Sequence, residues 1–264
     1  MLQIASVKAA RLADRIGQPL LVRLNARAKW WPVGHFPLRS GYKFDWLHVG
    51  DRIIQISVPA GESDRQQWEF NHLYHDDPYR LADLPRGLKT ILDVGGNIGF
   101  FAMIARHYFP RALIHCYEPD KEVLQLLTKN TDGLGVVAYN SGISLEDGSG
   151  YIVKGDCSLS TSINTRTKGS TPLISIRTAV DRLGSTIDLL KLDCEGAEWD
   201  ILQDTATLRR VRYLAMEYHF TGTQSLELWE LVRLLKDEGF AIKSLSESEI
   251  RVVGQLTAVN LGSA

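Results

Sequence analysis

The feature that most constrains the fold of this chain is a glycine-rich turn that joins an apolar stretch to a helical pattern. Residues 90–92 suit a buried strand, residues 93–99 read DVGGNIG, and apolar residues at helical spacing begin with Phe100. Glycine lets the backbone turn sharply and approach a ligand closely, and the N-terminus of the following helix presents free N–H groups. The order of strand, glycine turn and helix therefore predicts a ligand-binding βα unit.

A carboxylate follows the next predicted strand. Residues 112–117 form a second apolar run, which ends in Glu118 and Pro119. An acid at the tip of the second strand of a βαβ unit can accept hydrogen bonds from ribose hydroxyls, and proline suits the first turn of a helix. The glycine turn, the acid and their spacing together predict a site for a nucleoside-containing cofactor.

Two side chains in the turn bear on which cofactor binds. The turn starts with Asp93 where a dinucleotide-binding turn has its first glycine, and Asn97 occupies a position where a pyrophosphate needs bare backbone. A carboxylate at this strand end suits the ammonium group of a methionine moiety instead. These details favour S-adenosylmethionine. They leave a nicotinamide-dependent oxidoreductase and a non-catalytic cofactor-binding interaction module as alternatives.

From Thr90 onward, short apolar runs alternate with helical patterns. This alternation predicts parallel βαβ units and a doubly wound α/β sheet. Ahead of it, we predict a β-hairpin over 44–58 and a helix over 64–75. The predicted strands are 90–94, 112–117, 135–139, 187–192, 212–217, 240–245 and 250–258, and the predicted helices are 98–108, 120–130, 197–209 and 224–238.

One segment, residues 148–177, departs from the alternation. It is rich in Gly, Ser and Thr, with short strand candidates at 151–153 and 173–177, and we interpret it as an excursion between the third and fourth core strands. Such an excursion either shapes a substrate pocket or forms a flexible surface loop, and the residues do not separate the two interpretations.

Acidic residues follow the fourth and fifth predicted strands of the core. Residues 187–192 are strongly apolar and lead into Asp193 and Glu195, and the fifth strand ends in Glu217 and His219. Ligands bind beyond the carboxyl ends of strands in open α/β sheets, so we expect Asp193 and Glu195 to face the cofactor or the acceptor. The alternative is a solvated turn in which one of these two acids caps the next helix.

These four side chains are the candidate catalytic residues. A carboxylate or imidazole at this edge can act as a general base that removes a proton from an acceptor hydroxyl. We favour Glu217 over His219, because a lone histidine at a strand end is more often only hydrogen-bonded. The carboxylates are also ligands that suit Mg²⁺, so metal dependence is left open and no metal ligand is assigned.

The first 29 residues are basic. They carry six Lys or Arg side chains and one Asp, interleaved with leucine and isoleucine. This pattern predicts either peripheral docking on an anionic membrane surface or a partner, or a helix that packs on the domain with its charged face in water. We assign residues 1–60 to an N-terminal extension and residues 61–264 to the catalytic domain.

Composition says more about the partners and cellular location of the protein than about its fold. The chain has 30 Lys plus Arg and 31 Asp plus Glu, so its charge gives no reason to expect a nucleic-acid partner. No run approaches the roughly 20 apolar residues of a membrane span. The three cysteines lack metal-type spacing and suit reduced thiols. We therefore expect a cytoplasmic protein and leave its oligomeric state open.

Taken together, these motifs resemble those of the FkbM family of methyltransferases. The resemblance spans about residues 90–220, and its most specific part is the Asp-x-Glu-Gly-x-Glu segment at 193–198. It implies a Rossmann-like class I methyltransferase fold with a seven-stranded sheet, flanking helices and S-adenosylmethionine as donor. It also implies O-methylation of a hydroxyl on a sugar, glycan or secondary metabolite. It does not cover residues 1–60 or 148–177, which we expect to choose the acceptor.

The resemblance also implies roles for single residues. It places the glycine turn along the methionine end of the cofactor, Glu118 at the ribose, and the residues after the third core strand near the adenine. The chain departs from the family pattern at Gly96 and Gly142, where alanine is common, and at Leu145, which replaces an acid. The predicted cofactor-binding residues are Asp93, Gly95, Gly96, Asn97, Gly99, Glu118, Ser141, Gly142 and Asp193.

Overall fold

The computed structural model describes residues 46–164, 168–219, 227–247 and 253–262. The chain divides into two compact units, residues 1–56 and 57–264. The basic segment at 1–29 lies outside the described residues, and the predicted boundary at residue 60 stays a prediction. Among the helices in the described ranges, none is long and apolar enough to cross a membrane.

The elements are numbered here in chain order. The strands are β1 (Trp46–Val49), β2 (Arg52–Gln55), β3 (Thr90–Val94), β4 (Leu113–Tyr117), β5 (Val136–Tyr139), β6 (Gly142–Ser144), β7 (Gly148–Val153), β8 (Ser162–Asn164), β9 (Thr171–Ser175), β10 (Ile187–Leu192), β11 (Val211–His219), β12 (Phe240–Glu247) and β13 (Val253–Asn260). The α-helices are α1 (Ser63–Asn71), α2 (Phe100–Tyr108), α3 (Lys121–Asn130), α4 (Ile176–Leu183), α5 (Glu198–Ile201), α6 (Thr205–Leu208) and α7 (Leu228–Asp237). Shorter helical turns lie at His72–Asp76, Leu81–Asp83 and Ser158–Ser160.

The described part of the first unit is a β-hairpin. Strands β1 and β2 pair antiparallel, with Trp46 opposite Gln55 and Val49 opposite Arg52. Gly50, in the turn, has a φ of 63°, a left-handed conformation that glycine adopts without steric cost. The hairpin predicted over 44–58 is therefore confirmed within the described residues.

The second unit is built on a seven-stranded sheet with the order β12-β13-β11-β10-β3-β4-β5. Strands β11, β10, β3, β4 and β5 are parallel, whereas β13 runs antiparallel to both of its neighbours. The strand order reverses at the pair β3 and β10, which makes the carboxyl ends of these two strands the expected ligand site. The predicted Rossmann-like α/β fold with seven strands is confirmed.

The two central strands are buried over almost their whole length. Residues 91–94 of β3 are all buried, and in β10 only Asp188 is partly exposed. A parallel strand covered on both faces reads as a continuous apolar run, which explains why both strands were predicted within one residue of their observed ends. The polar exceptions are Asp93 and Lys191, which lie directly opposite each other in the register of β3 and β10.

Two helices differ from prediction. Helix α4 was missed, because residues 173–177 read as a strand. The strand β9 ends at Ser175, whose side chain accepts a hydrogen bond from the N–H of Thr178 and so caps the helix. The helix predicted over 197–209 is split into α5 and α6, because the side chain of Asp204 accepts from the N–H of Thr207 and starts a new helix there.

The excursion after the third core strand forms a sheet of its own. Its four strands have the order β6-β9-β7-β8, with β6 and β9 parallel and the other pairs antiparallel. The predicted short strand at 151–153 is part of β7. The excursion returns to the core through α4, which contacts both β9 and β3.

Candidate active site

A cavity of about 380 Å³ opens at the carboxyl ends of the central strands. Its walls come from the turn after β3, the end of β4, the acidic turn after β10 and the end of β11. Helix α1, the excursion and β13 supply further lining residues. The cavity lies at the topological switch point, where the strand order predicts a ligand.

The cavity has two chemically different walls. We call them the donor side, after the methyl donor that the sequence predicts there, and the acid side. The donor side comprises Gly95, Gly96, Asn97, Glu118 and Gly142. The acid side comprises Glu69, His72, Asp193, Glu195 and Glu217.

The glycines of the turn are required by the protein's own packing. A Cβ on Gly95, whose φ is 79°, would collide with the backbone carbonyl of Asp193. A Cβ on Gly96 would lie 2.7 Å from Leu127 Cδ1, and one on Gly99 would lie 2.9 Å from Thr131 Cγ2. The sequence motif attributes these glycines to the close approach of a ligand. The structure shows a second cause, since two segments of the fold already fill the space. Gly99 is not among the residues that line the cavity, and the role of Gly95 and Gly96 in ligand approach stays a prediction.

Glu118, just after the neighbouring strand β4, holds the glycine turn by a hydrogen bond. Its Oε2 accepts the N–H of Asn97 at 2.9 Å, and its Oε1 accepts the N–H of Asp120 at 2.9 Å. Burial raises the pKa of Glu118 to about 7, although these two hydrogen bonds lower it. Each carboxylate oxygen keeps a second acceptor site. The side chain therefore has acceptor capacity left for a ligand in the cavity.

Asp93 is held behind the cavity wall by Lys191. The carboxylate is fully buried, and its Oδ1 lies 3.3 Å from Lys191 Nζ. The ammonium group also donates to the carbonyl of Gly95 at 2.6 Å and lies 3.5 Å from Asp193 Oδ2. Burial opposes the charged form of Lys191, but the charges of Asp93 and Asp193 outweigh burial and raise its pKa.

Contrary to our prediction, Asp93 therefore does not line the cavity. A buried carboxylate needs a paired cation, and Lys191 is that partner. The lysine itself lines the cavity, although the motifs did not single it out.

The excursion covers the donor side near Gly142. A Cβ on Gly142 would lie 2.5 Å from Ile163 Cδ1, and both residues line the cavity. Ser141 is buried and lies outside the lining. Lys154 anchors the excursion to the start of α3, at 3.2 Å from Asp120 and 2.8 Å from Glu122. Of the two interpretations of the excursion, the structure supports the one in which it shapes the pocket.

The acidic turn after β10 is closed by a buried glutamate. Glu198, fully buried, accepts the N–H of Cys194 at 2.7 Å and the N–H of Gly196 at 2.9 Å. Glu195 lies between these two residues with a φ of 57°, a left-handed backbone that non-glycine residues adopt at a cost of about 1–3 kcal/mol. This strained conformation is typical of functional turns. It accompanies a Glu195 side chain that lines the cavity.

His219 is surrounded by three carboxylates. Its Nδ1 lies 3.3 Å from Glu198, and its Nε2 lies 3.4 Å from Glu217 and 3.6 Å from Glu195. Burial lowers the pKa of His219, but hydrogen bonds to Glu198 and Glu217 outweigh it and raise the pKa to about 11. These contacts favour the imidazolium form of the ring, which has no lone pair to accept a proton. They weigh against His219 as a base and suit it to the role of a buried cation, and its catalytic role stays a prediction.

The carboxylates of this cluster are already engaged by cations and donors of the protein. Asp193, Glu195 and His219 each place one potential ligand atom within 4.8 Å of the others. However, Asp193 Oδ2 accepts the hydroxyl of Tyr79 at 2.8 Å, and Glu195 faces the His219 imidazolium. Mg²⁺ prefers an oxygen octahedron, and one of these three potential ligands is a histidine. The donor set thus fits Mg²⁺ poorly.

Several lining residues were not predicted from the sequence. Glu69 and His72 come from the α1 segment, and Gln255 comes from β13. Burial, and next the charge of Asp193, raise the pKa of Glu69 to about 7. No local motif marks these residues. The only available signal was the predicted helix over 64–75, which does not show which of its faces meets the site.

Comparison with known proteins places these features in a family. Residues 93–242 match the Methyltransferase FkbM domain. "Methyltransferase 1" of Beauveria bassiana (strain ARSEF 2860) is 27% identical over 178 residues, which cover 56% of this chain and 71% of the relative. "Methyltransferase sdnD" of Sordaria araneosa is 26% identical over 237 residues, which cover 74% of this chain and 89% of the relative.

Two solved structures illustrate the structural comparisons. Magnesium protoporphyrin IX methyltransferase from Synechocystis PCC 6803, solved with bound SAM, has a TM-score of 0.46 at 13% identity, covering 77% of this chain and 85% of its own. Fibrillarin from Aeropyrum pernix, solved with S-adenosyl-L-methionine, has a TM-score of 0.45 at 16% identity, covering 72% of this chain and 76% of its own.

Proposed function

Because this chain belongs to the FkbM methyltransferase family, we propose that it transfers the methyl group of S-adenosylmethionine to a hydroxyl oxygen of a small molecule or glycan. The family match covers more than half of the chain and establishes an S-adenosylmethionine-dependent methyltransferase. It overturns the nicotinamide-dependent oxidoreductase that the motifs alone had left open. The choice of oxygen as the acceptor atom is the part that we propose.

The observation that carries the proposal is the acid side of the cavity. Glu69, Glu195 and Glu217 line one wall with carboxylates, which accept hydrogen bonds. A hydroxyl group is a hydrogen-bond donor that such a wall can hold and orient. The acceptor molecule would therefore present hydroxyl groups to this wall, with one of them directed at the methyl group.

The donor side suits the cofactor. We propose that Gly95, Gly96 and Asn97 follow the methionine end, that Glu118 accepts hydrogen bonds from the ribose hydroxyls, and that Gly142 lies at the adenine. The cavity lining at these five positions supports the proposal. Ser141, Gly99 and Asp93 would act from behind this wall, Asp93 through its contact with Lys191.

The reaction needs alignment more than activation. The acceptor oxygen attacks the methyl carbon, and the carbon–sulfur bond breaks with its electron pair moving to sulfur, which leaves neutral S-adenosylhomocysteine. Since the sulfonium already activates the methyl group, holding oxygen, carbon and sulfur in line supplies much of the acceleration. We propose that Asp193, Glu195 and Glu217 position the acceptor, while His219 and Lys191 balance their charge.

The proposed partner is the acceptor, a small molecule or glycan that presents hydroxyl groups to the acid side. That the chain has no nucleic-acid partner stays a prediction. Peripheral membrane contact through residues 1–29 stays a prediction, as does the cytoplasmic setting.

The test combines calorimetry with methyl transfer. The full chain is titrated with S-adenosylmethionine, S-adenosylhomocysteine and NADH, and methyl-labelled cofactor is then incubated with methyl glycosides, aliphatic polyols and matched amines. We expect binding of the first two ligands and transfer of label to hydroxyl compounds. Transfer to the amines alone would overturn the choice of oxygen. Binding without transfer to any acceptor would favour the interaction module.

A further inference from the structure

The acid side contains a histidine that lies outside the matched family segment. His72 begins the helical turn His72–Asp76 after α1, and its side chain lines the cavity. The family match starts at residue 93. The role of His72 therefore has to follow from its own contacts.

Three contacts fix the imidazole ring of His72. Its Nδ1 lies 2.9 Å from Asp76 Oδ2, and its Nε2 lies 3.2 Å from Gln255 Nε2. The ring of Trp68 stacks on it, with centroids 5.4 Å apart and planes inclined by 13°. A ring held at both nitrogens and on one face is fixed in orientation before any acceptor arrives, which is what alignment of a reacting group requires.

The hydrogen-bond network selects one tautomer of the neutral ring. Gln255 Nε2 donates to Glu217 Oε2 at 3.1 Å, so the amide nitrogen, rather than the amide oxygen, faces this part of the cavity. The same nitrogen faces His72 Nε2, and a donor at that position needs a lone pair on Nε2. The proton of a neutral ring then resides on Nδ1, where Asp76 accepts it. The lone pair of Nε2 is left at the cavity wall.

We propose that His72 is the general base of the methyl transfer and that Asp76 is its positioning residue, an inference that rests on the proposed function above. The acceptor hydroxyl displaces the Gln255 amide from Nε2 and donates its hydrogen bond there. As the oxygen attacks the methyl carbon and the carbon–sulfur bond breaks, the hydroxyl proton moves to Nε2. The positive charge of the sulfonium is thereby replaced by an imidazolium charge, which Asp76 stabilises at Nδ1 until the proton passes to water.

Two of the other candidate bases, Glu217 and Asp193, already have protein partners, whereas burial raises the pKa of Glu195 to about 7, so Glu195 is the competing base. Glu217 is engaged by Gln255 at one oxygen and by the His219 imidazolium at the other. Asp193 Oδ2 accepts from Tyr79 and faces Lys191. These carboxylates hold the acceptor, and His72 takes its proton.

The first test measures turnover. The full chain and its His72→Ala, Asp76→Ala and His75→Ala variants are assayed with methyl-labelled S-adenosylmethionine on methyl glycosides and aliphatic polyols. We expect His72→Ala to lower kcat by about 10²–10⁴-fold, the range for loss of a general base, with an unchanged Kd for S-adenosylhomocysteine. Asp76→Ala should lower kcat by a smaller factor. His75 is exposed in the same helical turn, so His75→Ala should retain full activity.

Added imidazole provides a readout that a structural role would not give. It should restore part of the turnover of His72→Ala and leave that of the wild type and of His75→Ala unchanged. Wild-type kcat in His72→Ala, on an acceptor that the wild type methylates, would overturn the proposal. If the wild type methylates no hydroxyl compound, the proposed function fails instead, and a second measurement still tests His72.

That measurement is the ring-nitrogen NMR spectrum of the full chain, with the His72 signals assigned as those lost in His72→Gln. We expect the neutral ring to carry its proton on Nδ1, and we expect Asp76→Ala to lose this preference. A wild-type ring with its proton on Nε2 would overturn the proposal whatever the acceptor.

Discussion

The donor side and the acid side of the cavity are built in different ways. The donor side consists mainly of backbone and of glycines whose missing side chains let segments of the fold meet. The acid side consists of side chains from α1 and the turn after it, from the turn after β10 and from β11, brought together by strand order and helix packing. The comparison teaches that the donor side is fixed by close packing of the backbone, whereas the acid side is fixed by charge and hydrogen bonds.

The largest expected effect is the loss of stability in Gly95→Ala, which tests whether close packing of the backbone fixes the donor side. Gly95→Ala forces a side chain into a left-handed backbone and into the Asp193 carbonyl. The two costs, about 1–3 kcal/mol for strain and about 1–3 kcal/mol for overpacking, should lower the free energy of unfolding together. Denaturant titration measures the change. Gly61 is a matched control, since its φ of 80° is nearly that of Gly95, while a Cβ added there would meet no atom within 4 Å beyond its chain neighbours.

Gly61→Ala should therefore show the strain alone. Equal losses in Gly61→Ala and Gly95→Ala would contradict the close packing of the two turns and would return the glycine to a role in ligand approach.

The second effect is the pH dependence of stability, which tests whether charge interactions around His219 hold the acid side together. The pKa of His219 is raised to about 11 in the fold, above its ordinary value of 6.5, so its contribution to stability is present at low pH and is lost as pH rises toward 11. Between about pH 7.5 and 9.5, His219 keeps a proton in the folded chain that it has lost in the unfolded chain, and its share of the fall in the free energy of unfolding is at most about 1.4 kcal/mol per pH unit. The thiols of Cys116 and Cys194, whose pKa burial raises, add to the slope at the upper end of this window.

His219→Asn should flatten this slope, whatever it does to the stability at a single pH. Urea titrations across the window give the slope, and His75→Asn, at an exposed position, should leave it unchanged. A His219→Asn variant with the wild-type slope would show that His219 is not the buried cation of this cluster.

A third prediction asks whether the donor side depends on any side chain. Glu118→Ala should weaken S-adenosylhomocysteine binding by about 1–3 kcal/mol, because hydrogen bonds to a charged group are lost. Calorimetry measures the difference, with the exposed Glu146→Ala as the control. Unchanged affinity in Glu118→Ala would remove Glu118 from the cofactor site and leave a donor side made of backbone alone.

The smallest effect concerns the excursion that covers the donor side. Lys154 is 60% exposed in its contacts with Asp120 and Glu122, so Lys154→Ala should cost at most about 1 kcal/mol of stability. The melting curves of the wild type and of Lys154→Ala should differ at low salt and converge at high salt, since salt screens exposed ion pairs. Lys168→Ala, exposed in the same excursion, serves as the control. A loss well above 1 kcal/mol would mean that the excursion is held by this anchor rather than by its apolar contacts.

Sequence alone predicted the donor side better than the acid side, for a physical reason. The turn at 93–99 and Glu118 are short-range features, because each follows a continuous apolar strand that is buried on both faces. Asp193, Glu195 and Glu217 were predicted in the same way, as acids at strand ends. Lys191 was missed because it lies inside an apolar run, and its pairing with Asp93 becomes visible only in the register of β3 and β10.

The remaining site residues depend on long-range geometry. His72 and Gln255 are 183 residues apart in the chain and meet at 3.2 Å. Their meeting depends on the antiparallel insertion of β13 beside β11, which no spacing along the chain specifies. Helix α4 was missed for a more local reason, because the residues around its Ser175 cap read as a strand over 173–177, although the buried residues beyond them, from Ile176 to Leu183, lie at helical spacing.

The insertion of β13 between β11 and β12 has a consequence for biosynthesis. A chain emerging from the ribosome releases the glycine turn and Glu118 long before Gln255, so the donor side can form before β13 brings Gln255 to His72 and Glu217 of the acid side. Until β13 arrives, one edge of β11 has no strand to pair with, and an unpaired edge invites pairing with another chain. Nascent chains stalled before β13 should therefore be the species that depends most on chaperones.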